Sequence, residues 1–103
     1  MTSSRLKTMV ILTENHTLVP PGDLLGLVEM AVDAERAGAD AVMLSDHLCL
    51  GPEAGALGRT MNPREYAAPG NQDPATEWPS SIVMASAIAA ATSTVRIALA
   101  ALI

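Results

Sequence analysis

The stretch AERAGADAVMLSDH, residues 34 to 47, decides how this chain is built. Its first part ends an amphipathic pattern at Gly38, and its second part, Ala41 to Ser45, is almost entirely apolar before Asp46 and His47. Glycine is suited to the left-handed conformation that commonly ends a helix. A short strand that is apolar on both faces is typical of a parallel sheet covered by helices. The stretch therefore predicts a helix, a turn and a buried strand that ends on two ionisable side chains.

An amphipathic helix is predicted before this strand. Asp23 follows Pro-Pro-Gly, where a helix N-cap is expected. Beyond it, apolar residues return every three or four positions while charged residues share the other face, as in a helix packed on one side. The apolar positions are Leu24, Leu27, Val28, Ala31, Ala34 and Ala37, and the charged ones are Glu29, Asp33 and Arg36. Further upstream, Thr8 to Leu12 (TMVIL) is a short apolar run that predicts the first strand.

A long loop and two further elements follow the second strand. Residues 49 to 79 are rich in proline and glycine, and a long connection without regular structure is usually a lid, a binding loop or a disordered segment. Its start at the end of a strand favours a lid. The segment SIVMASAIAAA, beginning at Ser80 or Ser81, predicts a second helix that is apolar on nearly every side. Val95 to Ile103 (VRIALAALI) predicts a third strand.

The order of these elements predicts an α/β fold with a parallel sheet. Strand, helix, strand, long loop, helix and strand follow one another at the spacing of βαβ units. Loops that follow parallel strands meet at the carboxyl edge of the sheet, where α/β proteins assemble their sites. Glu14 and His16 leave the first strand at this edge, and Asp46 and His47 leave the second. These side chains are the candidate site residues, and 103 residues allow one domain around them.

Composition and charge narrow the classes of function. The 11 acidic and 6 basic residues give a net charge of -5, which disfavours nucleic acid and anionic lipid as partners. The single cysteine, Cys49, cannot form an internal disulfide, and the opening apolar run is too short for a secretory signal. The apolar stretch from Ile82 to Ile103 is interrupted by TSTVR, so it predicts two separate elements and no membrane span. These features predict a cytoplasmic protein without a nucleic-acid or membrane partner.

Three stretches of the chain carry recognisable patterns. AE-x-x-G-x-D-x-V followed by SDH lies within AVDAERAGADAVMLSDHLCLGP (31–52), and A-I-A-A-A-T-S-x-x-R opens AIAAATSTVRIALAALI (87–103). NPREYAAPGNQDPATEWPSS (62–81) lies between them. Together they resemble the amino-terminal part of the luciferase-like monooxygenase superfamily, specifically its deazaflavin (coenzyme F-420) dependent oxidoreductases. The resemblance corresponds to the first three strands of that family's barrel.

The resemblance implies a (β/α)8 barrel in which residues 1 to 103 form a single amino-terminal segment. It implies that coenzyme F-420 or, as the alternative, FMN binds at the carboxyl edge and that hydride is transferred or oxygen activated there. Asp46 and His47 would then lie beside the cofactor ring, with His47 in proton transfer or substrate binding. A bulge in the third strand would support the ring from behind, and the matching residues are Ala98, Leu99, Ala100 and Ala101.

The same resemblance implies partners. Enzymes of this type dimerise through their second and third helices, and the predicted helix from Ile82 to Ala91 corresponds to the first of these. Most contacts to the cofactor's phosphate tail come from later strands of the family's barrel. The chain alone is therefore expected to be inactive and to associate with a second copy or with the remaining part of a barrel.

Other interpretations of the candidate residues stay open. Asp46 can cap a loop with an exposed His47 beside it, without any chemical role. Glu14 and His16 can belong to a solvated turn or contact the substrate. Trp78 can anchor the hinge of the second helix or form part of the lid.

Two other classes of function are also open. A metal-dependent hydrolase would use His16, Asp46 and His47, with Cys49 as a further ligand, although the chain contains no known metal-ligand spacing. A non-catalytic subunit would act only by association. The interpretation favoured by the residues and the resemblance has no metal.

Overall fold

Three strands and two helices alternate along the part of the chain that the structure describes. This computed structural model describes residues 4–12, 19–20, 22–46 and 78–100. The elements are β1 (Met9–Ile11), α1 (Leu24–Arg36), β2 (Ala41–Leu44), α2 (Ser81–Ala91) and β3 (Arg96–Leu99). The sheet order is β1-β2-β3, and both neighbouring pairs are parallel. The predicted α/β class is confirmed, with sequential parallel strands as in part of a (β/α)8 barrel.

The observed strands are shorter than the predicted ones. β1 was predicted to span Thr8 to Leu12, and β3 was predicted to begin at Val95 and to continue through residues that lie outside the described ranges. Hydrogen bonding nevertheless continues past the strand ends, because the Leu12 N–H donates to the Met43 carbonyl at 2.9 Å. The predicted loop from 49 to 79 also lies outside the described residues, apart from its last two.

Helix α1 begins and ends as the sequence predicts. The Asp23 carboxylate accepts a hydrogen bond from the Gly26 N–H at 2.9 Å, which satisfies one of the free donors of the first turn. At the other end, Gly38 has a φ of +90°. Leu24 and Ala37 were predicted on the buried face but are exposed, because they lie at the two ends of the helix and the buried stripe is confined to its middle turns.

Substituting Gly38 tests the backbone contribution to this helix end. A Cβ at this position would meet no atom within 4 Å, so Gly38→Ala introduces backbone strain without a steric clash. We expect a loss of about 1–2 kcal/mol in the free energy of unfolding, measured by urea denaturation. Gly38→Asn is the matched control and should lose less, because asparagine tolerates the left-handed region. Equal losses for the two variants would contradict this explanation.

The hydrophobic core lies between one face of the sheet and the two helices. Leu12, Val42 and Leu44 contribute from the strands or their ends, and Leu27, Ala31, Ala34, Met84 and Ile88 contribute from the helices. The helices contact each other, and α1 also contacts β2 while α2 contacts β3. Both helices therefore cover the same face of the sheet.

The opposite face of the sheet has no helix against it within the described ranges. Side chains alternate between the faces of a strand, so Met9, Met43 and Ala98 share this second face. They are only partly buried or exposed, and Met9 is 51% exposed. A sheet that is covered by helices on one side and apolar on the other has the arrangement of a barrel wall, in which the second face points to the barrel interior.

Helix α2 is apolar on its outer side as well as its inner side. Met84 and Ile88 are buried, whereas Ile82 and Val83 are 60% and 66% exposed. The predicted helix with apolar residues on nearly every side is confirmed. Neither described helix is long and apolar enough to cross a membrane.

Candidate functional site

The three strands end at the same edge of the sheet. Because the strands are parallel, Leu12, Asp46 and Ala100 all lie at or just beyond the carboxyl edge. The Ala100 N–H donates to the Leu44 carbonyl at 2.9 Å, so β3 stays in register with β2 up to this edge. Residues from β2 and β3 that are far apart in sequence are thereby brought to neighbouring positions.

The structure locates some of the predicted site residues and leaves others undescribed. Asp46 lies two residues after the end of β2, at the carboxyl edge, and is half-buried. Trp78 is also half-buried and precedes the start of α2. Glu14, His16 and His47 lie outside the described residues, so their predicted roles stay predictions.

The end of β3 presents a small side chain on the uncovered face of the sheet. Ala98 lies on that face, and Ala100 directly follows the strand at the carboxyl edge. Leu99 lies on the other side, packed against the hydrophobic core. The uncovered face at the end of β3 therefore carries the methyl group of Ala98 but not the Leu99 side chain.

Two buried hydroxyl groups also lie at the carboxyl edge, and the sequence analysis did not single them out. Ser45 and Ser81 are 5% and 2% exposed and are the buried polar residues of the described ranges. Ser45 follows β2, and Ser81 is the first residue of α2, which returns from the carboxyl edge to start β3 at the amino edge. The Ser81 hydroxyl has no hydrogen-bond partner within the described chain. A buried hydroxyl left unsatisfied costs about 1–3 kcal/mol. Ser81 lies on the same face of α2 as the core residues Met84 and Ile88.

A metal site has no support among the residues whose positions are described. Within those ranges, no group of three or more His, Cys, Asp and Glu side chains is close enough together to hold an ion. Asp46 is the one proposed ligand located there, while His16, His47 and Cys49 lie outside them.

Comparison with known families identifies the group of proteins to which these features belong. Residues 8–103 match the luciferase-like monooxygenase family. The chain belongs to this family. Its members use flavin or coenzyme F-420 as cofactors, which makes an oxidoreductase of flavin type the class of function. No curated protein and no solved structure matches the chain significantly.

At the opposite, amino edge of this luciferase-like chain, the carboxylate of Glu35 joins α1 to the turn before β3. Its Oε2 accepts hydrogen bonds from the backbone N–H groups of Ser93, Thr94 and Val95 at 2.9, 2.7 and 2.8 Å. The Thr94 hydroxyl donates to the same oxygen at 3.2 Å. The N–H groups of Thr94 and then Val95 lower the pKa of Glu35 most, to about 2 from 4.5, with further lowering by Ser93 and the Thr94 hydroxyl, while partial desolvation opposes the shift.

Asp40 connects all three strands at the same amino edge. Its carboxylate accepts a hydrogen bond from the Thr8 N–H at 2.9 Å and pairs with Arg5. Its backbone N–H donates to the Thr8 carbonyl at 3.1 Å, and its carbonyl accepts from the Arg96 N–H at 3.1 Å. Glu35 and Asp40 therefore hold the starts of the strands, while the candidate site lies at their ends.

The Glu35 contacts predict a specific dependence of stability on pH. Because the folded-state pKa is depressed, ionised Glu35 stabilises the fold fully above pH 4.5, and this stabilisation is lost as the pH falls toward about 2. Glu35→Gln should lower the urea midpoint at neutral pH. The difference in urea midpoint between the variant and the native protein should shrink as the pH falls from 4.5 toward about 2. Glu29→Gln, an exposed change on the same helix, is the control. A Glu35→Gln difference that is constant with pH would contradict the assignment.

Proposed function

We propose that this chain forms β1 to β3 of the (β/α)8 barrel of a coenzyme F-420-dependent oxidoreductase, with FMN as the alternative cofactor. The redox ring would bind at the carboxyl edge, against the uncovered face of β3, and react with a small organic substrate. The observation that supports this most is the position of Asp46: the sequence pair Asp46-His47 leaves β2 at the edge where Ala98 and Ala100 end β3. The lone Cys49 supports a cytoplasmic location.

The residues at this edge fit a flat, largely apolar ring with polar atoms on its rim. The methyl group of Ala98 leaves space on the uncovered face, and small side chains allow close approach to the backbone. Asp46, half-buried at the same edge, is the polar group proposed to face the rim of the ring. Ligand sites commonly combine such apolar walls with a few polar groups that fix orientation.

His47 and Asp46 have the chemistry for proton handling beside such a ring. Histidine is the side chain most often used to donate and accept protons in catalysis. His47 would give a proton to the substrate or remove one, and Asp46 would orient the imidazole. Bound at this edge, a flavin or deazaflavin supplies hydride transfer, and a flavin can also activate oxygen.

Equilibrium binding tests the proposed cofactor. The chain is reconstituted with the remaining part of a barrel, and coenzyme F-420 and FMN are titrated into it separately, with cofactor fluorescence as the signal. We expect saturable binding of one of them. Asp46→Asn should weaken this binding at least about tenfold, because the proposed hydrogen bond between the Asp46 carboxylate and the cofactor ring is charge-assisted and contributes about 1.4 kcal/mol or more. Asp33→Asn, an exposed change on α1, should leave affinity unchanged. Absence of binding by both cofactors would refute the proposal.

We also propose that the outer side of α2 is covered by a second copy of the chain. Ile82 and Val83 are exposed there, and large exposed apolar side chains on one helix face commonly mark an interface. Light scattering should give the mass of an oligomer, and Val83→Glu should shift the mass toward that of the monomer. A native protein that stays monomeric at high concentration would contradict the proposal.

A further inference from the structure

We propose that the turn at residues 93–95 is a carboxylate-binding site whose resident ligand is the side chain of Glu35. When that side chain is removed, the turn will bind a free carboxylate of matching size. This inference concerns the amino edge of the sheet and is independent of the cofactor proposed for the carboxyl edge.

The donors of this turn converge on one carboxylate. Three consecutive backbone N–H groups, from Ser93, Thr94 and Val95, all donate to Oε2 of Glu35 within 2.9 Å. The Ser93 N–H is shared with Oε1 at 3.1 Å, and the Thr94 hydroxyl adds a donor from the side. Successive N–H groups that point into one concavity form a nest, which is a general arrangement for binding anions.

The residues on both sides of the turn have hydrogen bonds that do not involve Glu35. The Thr92 N–H and hydroxyl both donate to the Ile88 carbonyl, at 3.0 and 2.7 Å, and close the end of α2 just before the turn. After the turn, the Arg96 N–H donates to the Asp40 carbonyl at 3.1 Å. Contacts on both sides therefore hold the three donors in place, and we expect the concavity to persist when the Glu35 carboxylate is removed.

The size of the vacated space identifies the class of ligand. Glu35→Ala removes one methylene and the carboxylate beyond Cβ, and acetate consists of one methyl group and a carboxylate. Acetate should therefore fill the space that the deleted atoms leave. Formate is smaller and loses the methyl contacts, whereas propionate carries an additional carbon that would meet the alanine side chain. The expected order of affinity is acetate, then formate, then propionate.

Chemical rescue of Glu35→Ala tests this site. Urea midpoints of the purified variant are measured at neutral pH in a series of buffers in which acetate progressively replaces chloride, so that the ionic strength stays constant. We expect a saturable rise, since a ligand that binds only the folded state stabilises it. The amide resonances of Ser93, Thr94 and Val95 should shift over the same concentrations. The native protein should show neither effect, because Glu35 already occupies its site.

Two further variants separate the site from general salt effects. Glu29→Ala removes an exposed carboxylate from the same helix and should gain nothing from acetate beyond the native protein. Glu35→Gln leaves a side chain in the concavity, so acetate should not stabilise it. If Glu35→Ala is unfolded in chloride, acetate should restore its folded circular dichroism signal. The proposal is overturned if acetate neither stabilises nor refolds Glu35→Ala more than Glu29→Ala, or if the three amide resonances do not respond.

Discussion

Replacing Ile88 by alanine is expected to lower the free energy of unfolding by about 2–5 kcal/mol. Ile88 is fully buried and joins α2 to the core formed by α1 and the sheet. The substitution removes buried methyl and methylene groups and leaves a cavity where three elements meet. Urea denaturation measures the loss, and an unchanged slope of free energy against urea shows that the variant unfolds over the same surface.

Ile82→Ala is the matched control, because it makes the same chemical change on the same helix at a side chain that is 60% exposed. Alanine also favours the helix, so the control should lose less than about 1 kcal/mol in the monomer. Similar losses for the two variants at a concentration where the protein is monomeric would contradict the assignment of the buried face of α2.

Replacing His47 by alanine is expected to lower kcat/KM by about 10²–10⁴-fold, the usual contribution of a positioned acid or base. Stability should change little, since the predicted role is chemical. The change in kcat/KM is measured by steady-state turnover of the chain reconstituted with the remaining part of a barrel and with its cofactor. The change in stability is measured by urea denaturation. The part of the pH dependence of kcat/KM that reflects ionisation of an imidazole should disappear in the variant.

His16→Ala is the natural comparison, because His16 is the other histidine of the chain and the favoured interpretation gives it a substrate or lid contact without proton transfer. It should raise KM more than it lowers kcat. If His47→Ala reduces stability as much as it reduces turnover, or leaves the pH profile unchanged, a role for His47 in proton transfer would be contradicted.

The fold could be predicted from local patterns to a large extent. The N-cap at Asp23, the left-handed Gly38 and the two apolar strands around α1 each depend on nearby residues, and the structure confirms them. The prediction of parallel pairing followed from the alternation of strands and helices, and it too is confirmed. The strand ends were less accurate, because an apolar run does not mark where ladder hydrogen bonds stop.

Contacts between distant parts of the chain could not be predicted in the same way. In the sequence, Glu35 is one more charged residue near the end of an amphipathic helix. No local pattern indicates that its carboxylate accepts hydrogen bonds from backbone N–H groups 58 to 60 residues later. Ser81 similarly reads as an ordinary helix start, and only the packing of α2 shows that its hydroxyl is buried. The signal that could have drawn attention to Glu35 was its place in the pattern AE-x-x-G-x-D-x-V.

The residues of that pattern have structural roles at the amino edge or in the core. Glu35 binds the turn before β3, Gly38 ends α1, Asp40 connects the strand starts, and Val42 is fully buried in the core. The pattern that carries the family resemblance therefore specifies how the sheet is assembled. The chemistry is expected at the other end of the same strands, where Asp46 and His47 follow β2, and this division between edges is usual in (β/α)8 barrels.

The location of the redox ring is tested most directly by titrating coenzyme F-420 and FMN into the isotope-labelled chain, reconstituted with the remaining part of a barrel, while following the backbone amide resonances of the chain. With the cofactor that binds, we expect saturable shifts at Asp46, Ala98 and Ala100, and none at Glu35 or Thr94. Shifts confined to the amino edge, or no shifts with either cofactor, would contradict a redox site at the carboxyl ends of β2 and β3.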